Sequence, residues 1–295
     1  FAALRRAALL ISALALALPG SSAQAAVGAA PSLQIEAVAL PSQFAPSDQN
    51  DRYEILVTNV GAAASAEGAP VMVRVTPRAN AVVRGIVGRL WAPGHEELSC
   101  SPQPRSEPPS CELAAAVPPA ATIAIEAEVE VTAAAGLASV AVEVEEGGAV
   151  VASEVLETPI SAVPAPFAIR SFYFESTAAD GSPFTQAAGH PYGQLISLEL
   201  PSADGGNPED LFRPARNPRA ISLILPSGFV ADPLAGPRCP PRALEESRVV
   251  AGERLVPCPV GSRIGLVTLI AGRNAGALGT YSGQGAVSAL YDLVP

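Results

Sequence analysis

From Ile123 to Val131 the chain reads Ile-Ala-Ile-Glu-Ala-Glu-Val-Glu-Val, and its second half alternates apolar and acidic residues one by one. Val140-Ala141-Val142-Glu143-Val144-Glu145 repeats the pattern. Successive side chains of an extended chain point to opposite faces, so a period of two predicts antiparallel strands with one face in a core and an acidic face in water. Glu145-Glu146-Gly147-Gly148-Ala149 then reads as a hairpin turn into a further apolar run at 150–156.

Similar short runs, separated by turn residues, occupy 33–40, 52–60, 71–76, 81–90 and 121–132. About seven strands at this spacing predict an immunoglobulin-like β-sandwich over 33–160. Ser161-Ala162-Val163-Pro164-Ala165-Pro166 reads as a stiff, extended linker (161–166) and a domain boundary. Beyond it, strand-like runs at 167–175, 193–200, 220–225, 264–270 and 286–293 predict a second, less regular β-sandwich domain over 167–295. Its connections, notably 201–218, are longer than ordinary loops. The fold class is therefore all-β, and the 30 Pro and 25 Gly suit a turn-rich chain of this kind.

All 18 basic residues are Arg. Without lysine there is no phosphate-loop GxxxxGK[ST], no Schiff-base lysine and no Ser–Lys dyad. The two histidines, His95 and His190, cannot form a three-histidine zinc site. Arg5 and Arg6, the apolar run 7–18, the break at Pro19-Gly20 and Ala23-Gln24-Ala25 read as a secretory signal peptide over 1–25, lacking its initiator, with a small-residue linker at 26–32. The apolar run is too short to span a bilayer, which takes about 20 residues. Residues 1–25 hold two Arg and no acid, so the remainder carries 16 Arg against 28 acids, a net charge of −12. Such a chain is a poor partner for nucleic acid or anionic lipid. The C-terminus, ending Tyr291-Asp292-Leu293-Val294-Pro295, reads as a second truncation.

Four cysteines in an exported chain read as two disulfides. Of the three possible connectivities, the domain boundary favours Cys100–Cys111 and Cys239–Cys258, each closing a loop whose entropy contributes about 3 kcal/mol. Zinc is the alternative, but no C-x₂₋₄-C element is present. His190, in Gly189-His190-Pro191, lies near Ser182, Thr185, Asp180 and Asp204 in sequence. With no G-x-S-x-G elbow, and Ser182 in a Gly-Ser-Pro turn, it is read as structural, packing its ring and donating one buried hydrogen bond. His95 is expected exposed. Asp204-Gly205-Gly206-Asn207-Pro208-Glu209-Asp210 gathers oxygen-bearing side chains as extracellular calcium loops do, yet lacks the EF-hand register, and a solvated loop is the plainer reading. Arg213, Arg216 and Arg219 recur every third residue and read as surface charge. The Gly-rich stretch 272–279 has no nucleotide-fingerprint spacing and reads as a hairpin loop.

Tyr53-Glu54-Ile55-Leu56-Val57-Thr58-Asn59-Val60-Gly61, followed by the run at 71–76, resembles the Y-x-I-x-V-x-N-x-G opening of the DUF11-like conserved repeat domain of bacterial surface proteins. Trp91, Cys100, Cys111, the strand at 123–131 and Gly147-Gly148 fall in that family's order, although its prolyl-glycine after the second strand is absent. Pro183-Phe184-Thr185-Gln186-Ala187-Ala188-Gly189-His190-Pro191, with Pro226-Ser227-Gly228-Phe229-Val230-Ala231-Asp232-Pro233 and Tyr291 to Pro295, resembles a module of large uncharacterised secreted proteins of high-GC bacteria. The resemblance implies an extracellular β-rich module and no catalytic activity.

The sequence thus predicts a non-catalytic, secreted or cell-surface structural or adhesion-type protein, with no cofactor, no metal and no membrane span. Its partner, extracellular or in the envelope, is not specified. The alternatives are a polysaccharide-binding module, disfavoured by one Trp and five Tyr, and an exported hydrolase, which needs paired carboxylates or an activated nucleophile.

Overall fold

The computed structural model describes residues 29–46, 48, 50–91, 96–101, 108–187, 189–207, 210–216, 219, 220, 222, 224, 236–246, 248–250, 253–255, 257–259, 262–269, 286–291 and 293. The expected signal peptide, His95, the 272–279 loop and residues 221, 223 and 225 of the expected strand at 220–225 lie outside these residues, and the described Ala220, Ser222 and Ile224 stand in no strand, which corrects that expectation.

The chain opens with β1 (Leu33–Leu40), β2 (Arg52–Asn59), β3 (Val71–Ala79) and β4 (Ala81–Trp91). Two short strands, β5 (Glu96–Glu97) and β6 (Ser99–Cys100), lead to β7 (Ser110–Leu113). Then come β8 (Thr122–Val131), β9 (Gly136–Glu146) and β10 (Ala149–Ile160). They form two five-stranded antiparallel sheets, in the orders β1-β2-β8-β4-β5 and β10-β9-β3-β7-β6. Set aside the short β5, β6 and β7, and four strands face three in the order of a constant-type immunoglobulin sandwich. The expected fold class is what the structure contains.

The alternation decides which side chains meet between the sheets. Ile123, Ile125, Ala127, Val129 and Val131 of β8 point inward and are buried, while Glu128 on the opposite face is exposed. Val140, Val142 and Val144 of β9 bury against Val71, Val73 and Val75 of β3 and the inward face of β8. Gly147 and Gly148 both have positive φ (56° and 85°) between the paired residues Glu146 and Ala149. That is the two-residue hairpin turn whose twist matches the strands, and only glycine takes both positions without strain.

One connection ties the two sheets together. After β1 the chain crosses to the free edge of β10, where Phe44 bridges Ile160 in parallel. Phe44 N–H donates to the Pro159 carbonyl (3.0 Å), and Ser161 N–H donates to the Phe44 carbonyl (2.8 Å). This protects an edge that would otherwise present unpaired backbone groups.

The rest of the described chain is less regular. It pairs as four antiparallel hairpins, and its first two are β11 (Ser171–Thr177) with β12 (Gly193–Glu199), and β13 (Ser202–Asn207) with β14 (Asp210–Pro214). A short helix, α1 (Pro241–Glu245), precedes β15 (Arg248–Val250) with β16 (Glu253–Leu255), and β17 (Arg263–Leu269) with β18 (Ala286–Tyr291). The β13–β14 hairpin occupies what the sequence reads as a long loop. Ala203, Asp204, Phe212 and Arg213 pair across it despite the Gly and Pro content that marked the segment as irregular.

The Pro/Ala segment at 161–166 does not hold the halves apart. Ala62 N–H donates to the Ala179 carbonyl (2.8 Å), and Arg170 Nη1 donates to the Ser42 carbonyl (2.7 Å). Ser42 N–H donates to the Ser202 carbonyl (3.2 Å), while Ser202 N–H donates to Ser42 Oγ (2.9 Å). Gly181 approaches Ser32 so closely that a Cβ there would lie 2.2 Å from the serine side chain. The first hairpin after the linker therefore folds back along β1. Linker composition sets local stiffness, but these bonds set the direction of return.

Candidate functional site

The residues with the most chemistry to offer are concentrated on and beside β2. Its alternation places Tyr53, Ile55, Val57 and Asn59 inward, and all four are buried. The Tyr53 hydroxyl donates to Thr158 Oγ1 of β10 (2.8 Å), joining the two sheets through the core. Phe44 meets the Tyr53 ring edge-on, with centroids 5.1 Å apart and planes at 71°. Burial pushes the phenol up to about 12, so it stays a hydrogen-bond donor at any ordinary pH.

Asn59 satisfies four partners at once. Its Oδ1 accepts from Ser32 N–H and Gly61 N–H (both 3.1 Å), and its Nδ2 donates to the carbonyls of Ala63 (2.8 Å) and Val117 (2.9 Å). The start of β1, the end of β2 and the loop before β8 are thereby pinned to one amide. Gly61 must be glycine for a related reason, since a Cβ there would lie 2.1 Å from the Ala30 carbonyl oxygen. The five fixed positions of the Y-x-I-x-V-x-N-x-G pattern thus have structural work: an inter-sheet bond, two core side chains, a hydrogen-bond hub and a close backbone contact.

Both disulfides expected from the sequence are present. Cys100–Cys111 joins directly paired residues of β6 and β7, with Cα atoms 4.0 Å apart. Its Cys111 end is buried against Gly88 of β4, where a Cβ would lie 3.3 Å from the sulfur and 2.6 Å from Ile125 Cδ1. Cys239–Cys258 links the segment just before α1 to the segment after β16, with Cα atoms 5.1 Å apart.

The outward face of β2 departs from expectation. The strand is buried on both faces from Arg52 to Val57, where alternation predicts one face in water. Glu54 is 1% exposed and lies opposite Glu126 of β8 in the register. Burial first, then the Glu126 charge, push Glu54 up to about 8, against the pull of Arg52 and Arg89. Arg52 Nη1 donates to Glu126 Oε1 (2.5 Å), in an ion pair beside Glu54. Asp51, just before β2, is 0% exposed, and burial together with the charges of Asp48 and Asp204 pushes it up to about 8. These two carboxyls were not singled out by sequence. For Glu54 the signal available was a lone acid within Tyr53–Val57, an otherwise apolar stretch that reads as a central strand.

A shallow cleft of about 400 Å³ opens where β1, β10 and the β11 turn meet, lined by Gln34, Ile35, Glu154, Glu175 and Gly181 among others. Burial raises the carboxyl of Glu154, which lines the cleft, and that of Glu36 on β1, with a Ser197 hydrogen bond opposing it at Glu36. Tyr173, which donates to Glu175, receives a long hydrogen bond from Gln34 Nε2 (3.5 Å).

The candidate residues named from sequence do not assemble into a nucleophilic site. The Ser182 hydroxyl donates to Asp180 Oδ1 (2.6 Å), which also accepts the Ser182 N–H (2.9 Å). The serine proton is held within its own turn, and the hydroxyl bond, followed by the backbone one, lowers the Asp180 pKa. His190 is exposed, which corrects the expectation of a buried hydrogen bond from its ring. The reason lies in the turn: Gly189 packs against Phe184, where a Cβ would lie 2.5 Å from the ring, so the neighbouring glycine and not the imidazole fills the contact. Asp204, Asn207 and Asp210 fall on the β13 and β14 strands instead of one cation-enclosing loop, and Glu209 lies outside the described residues. Arg213 falls in β14, and Arg216 and Arg219 beyond it are exposed. Among the described residues no helix is long and apolar enough to cross a membrane.

The class defined by strand order and registers is an immunoglobulin-like β-sandwich carrying additional β-hairpins. No family model matches the chain, and no curated protein is found similar to it. Among solved structures it is similar to the collagen-binding domain of a Staphylococcus aureus adhesin, at 6% identity over 43% of this chain and 95% of that one, with a TM-score of 0.29. It is also similar to BcpA, the major pilin subunit of Bacillus cereus, at 9% identity over 58% of this chain and 56% of that one, with a TM-score of 0.29. A variant of the same subunit gives 10% identity and a TM-score of 0.30. Overlap this slight carries no argument about function.

Proposed function

We propose that the chain is a non-catalytic structural or adhesion-type module of a secreted or surface-attached protein, of the DUF11-like kind in its first half. The observation that carries this reading is the expenditure of reactive side chains on the fold. Tyr53 and Asn59 hold sheets and loops together, all four cysteines are bonded, and Ser182 and Asp180 bond one another. Two disulfides suit a chain that must persist in an oxidising environment. An acidic surface, with Arg as its only cation, keeps such a module soluble. The partner on this reading is another protein or envelope component outside the cell.

A second reading, binding of a polysaccharide, is favoured by exposed aromatic rings on and beside the first hairpin after the linker, at Phe167, Phe172 and Tyr192. Sugars stack on such faces. The discriminating experiment applies the oxidised chain to a glycan array beside a screen of ester, peptide and glycoside substrates. The structural reading expects a blank array and no turnover. Saturable glycan binding abolished by Tyr192→Ala would replace it with the second reading, and turnover lost in Ser182→Ala would replace it with a hydrolase.

A further inference from the structure

β10 forms one edge of the second sheet, and the chain leaves most of that edge open. From Ala149 to Val155 every residue but Ala152 is exposed, Val155 by 52%. Phe44 covers only the far end, where the Pro159 carbonyl and the Ser161 N–H are turned outward to it. Alternate residues of a strand turn their N–H and C=O groups to the same side, so Glu157, Val155 and Ser153 present theirs outward as well. Among the described residues no group pairs with them. Val151 is bulged out of the register with β9, which ends the regular edge. The open stretch, 152–158, is about 23 Å long.

An unpaired strand edge is a template for another extended chain, and proteins guard such edges with bulges and charges. The charges here are of one sign. β9 and β10 carry Glu143, Glu145, Glu146, Glu154 and Glu157 and no basic residue. Arg74 of β3 is engaged with Glu145 (3.2 Å). Beside the edge, Glu154 and Glu175 both line the cleft where β10, β1 and the β11 turn meet. A second copy of the chain would lay its own Glu154 and Glu157 on this strip, and like charges across a strand pair destabilise it. The edge therefore repels its own kind and suits a strand of opposite charge.

We propose that the open edge of β10 takes up an extended, cationic polypeptide segment of a partner protein by strand addition. The outward N–H and C=O groups of Ser153, Val155 and Glu157 supply the ladder. Val155 and Glu154 lie on opposite faces of β10, so the favoured segment alternates apolar and basic residues. Its apolar side chains pack beside the exposed Val155, and a lysine or arginine on its other face enters the cleft lined by Glu154 and Glu175. This inference rests on the adhesion reading and gives its partner a chemistry; the glycan array and substrate screen test that reading, and peptide binding tests this one.

Fluorescence anisotropy of a labelled peptide of about seven residues, alternating lysine and valine, follows its binding to the oxidised full chain. The same peptide with glutamate for lysine is the charge control, and one with every amide N-methylated, which cannot complete the ladder, is the backbone control. The lysine peptide is expected to bind saturably and more weakly at high salt, and neither control to bind. Val155→Pro removes an outward N–H that no described group uses, so it should melt close to the parent yet weaken binding about tenfold or more. Glu154→Gln should weaken it several-fold, while Glu128→Gln, an exposed acid of the other sheet, leaves it unchanged. If Val155→Pro does not fold, amide exchange decides: Ser153, Val155 and Glu157 must exchange more slowly once the peptide is bound. No binding would overturn the proposal. Equal binding of the N-methylated peptide, or binding that survives Val155→Pro, would overturn it as charge attraction alone. Self-association of the parent that Val155→Pro abolishes would overturn it in favour of a second copy.

Discussion

The hydroxyl of Tyr53 donates to Oγ1 of Thr158 across 2.8 Å, and both residues are sealed from water although they lie 105 positions apart in the chain. The bond spans the two sheets, so it forms only when the sandwich closes. Tyr53→Phe leaves the Thr158 hydroxyl buried without its donor, a loss of about 1–2 kcal/mol. Thr158→Val should cost a similar amount, and the double variant less than the sum, because neither partner is then stranded. Urea unfolding of the three variants measures the coupling. Additive losses would mean that the bond contributes nothing of its own.

Asn59 should be the costliest polar position in the first sandwich. Replacing it by Ala strands the N–H groups of Ser32 and Gly61 and the carbonyls of Ala63 and Val117, with an expected loss of about 3 kcal/mol or more. Asn59→Asp keeps the acceptor and loses both donors, so its unfolding midpoint should fall between those of the parent and Asn59→Ala.

Gly88 is a packing limit on the Cys100–Cys111 bond. A methyl group there meets Ile125 Cδ1 at 2.6 Å and the Cys111 sulfur at 3.3 Å. Gly88→Ala should destabilise by about 1–3 kcal/mol through overpacking. Non-reducing peptide mapping of the parent should recover Cys100 with Cys111 and Cys239 with Cys258. In Gly88→Ala the same pairs should form, because the strain falls on the core and leaves cysteine pairing intact.

Glu54 makes stability depend on pH. Its folded-state value is raised to about 8 from 4.5, so the folded chain holds this proton more tightly than the unfolded chain. The contribution is full below about pH 4.5 and is lost as pH climbs through 8, at up to about 1.4 kcal/mol per pH unit within that window. Denaturation curves from pH 5 to 8.5 should show falling stability, and Glu54→Gln should flatten that slope. An unchanged slope in Glu54→Gln would assign the effect to other groups.

Sequence alone determined the seven long strands of the first sandwich. Alternation in Ile123 to Val131 and Val140 to Glu145, and the Gly147-Gly148 turn, are local consequences of side-chain direction and backbone freedom, and each long strand formed where its pattern lay, while the short β5, β6 and β7 formed without one. The cysteine pairs were legible too, because the linker at 161–166 put each pair inside one expected domain. Tertiary structure decided the rest, since it depends on residues far apart in the chain. Period two says that Glu54 faces away from the core, but only the tertiary structure buries that face and sets Glu126, Arg52 and Arg89 in electrostatic range of it. Asp51 and Asp204 are 153 positions apart, and the Asp204 charge acts on Asp51 only once the chain is folded. The β13–β14 hairpin formed against its composition, because pairing between strands and anchorage at Ser42 outweigh weak local preferences that Gly and Pro merely lower.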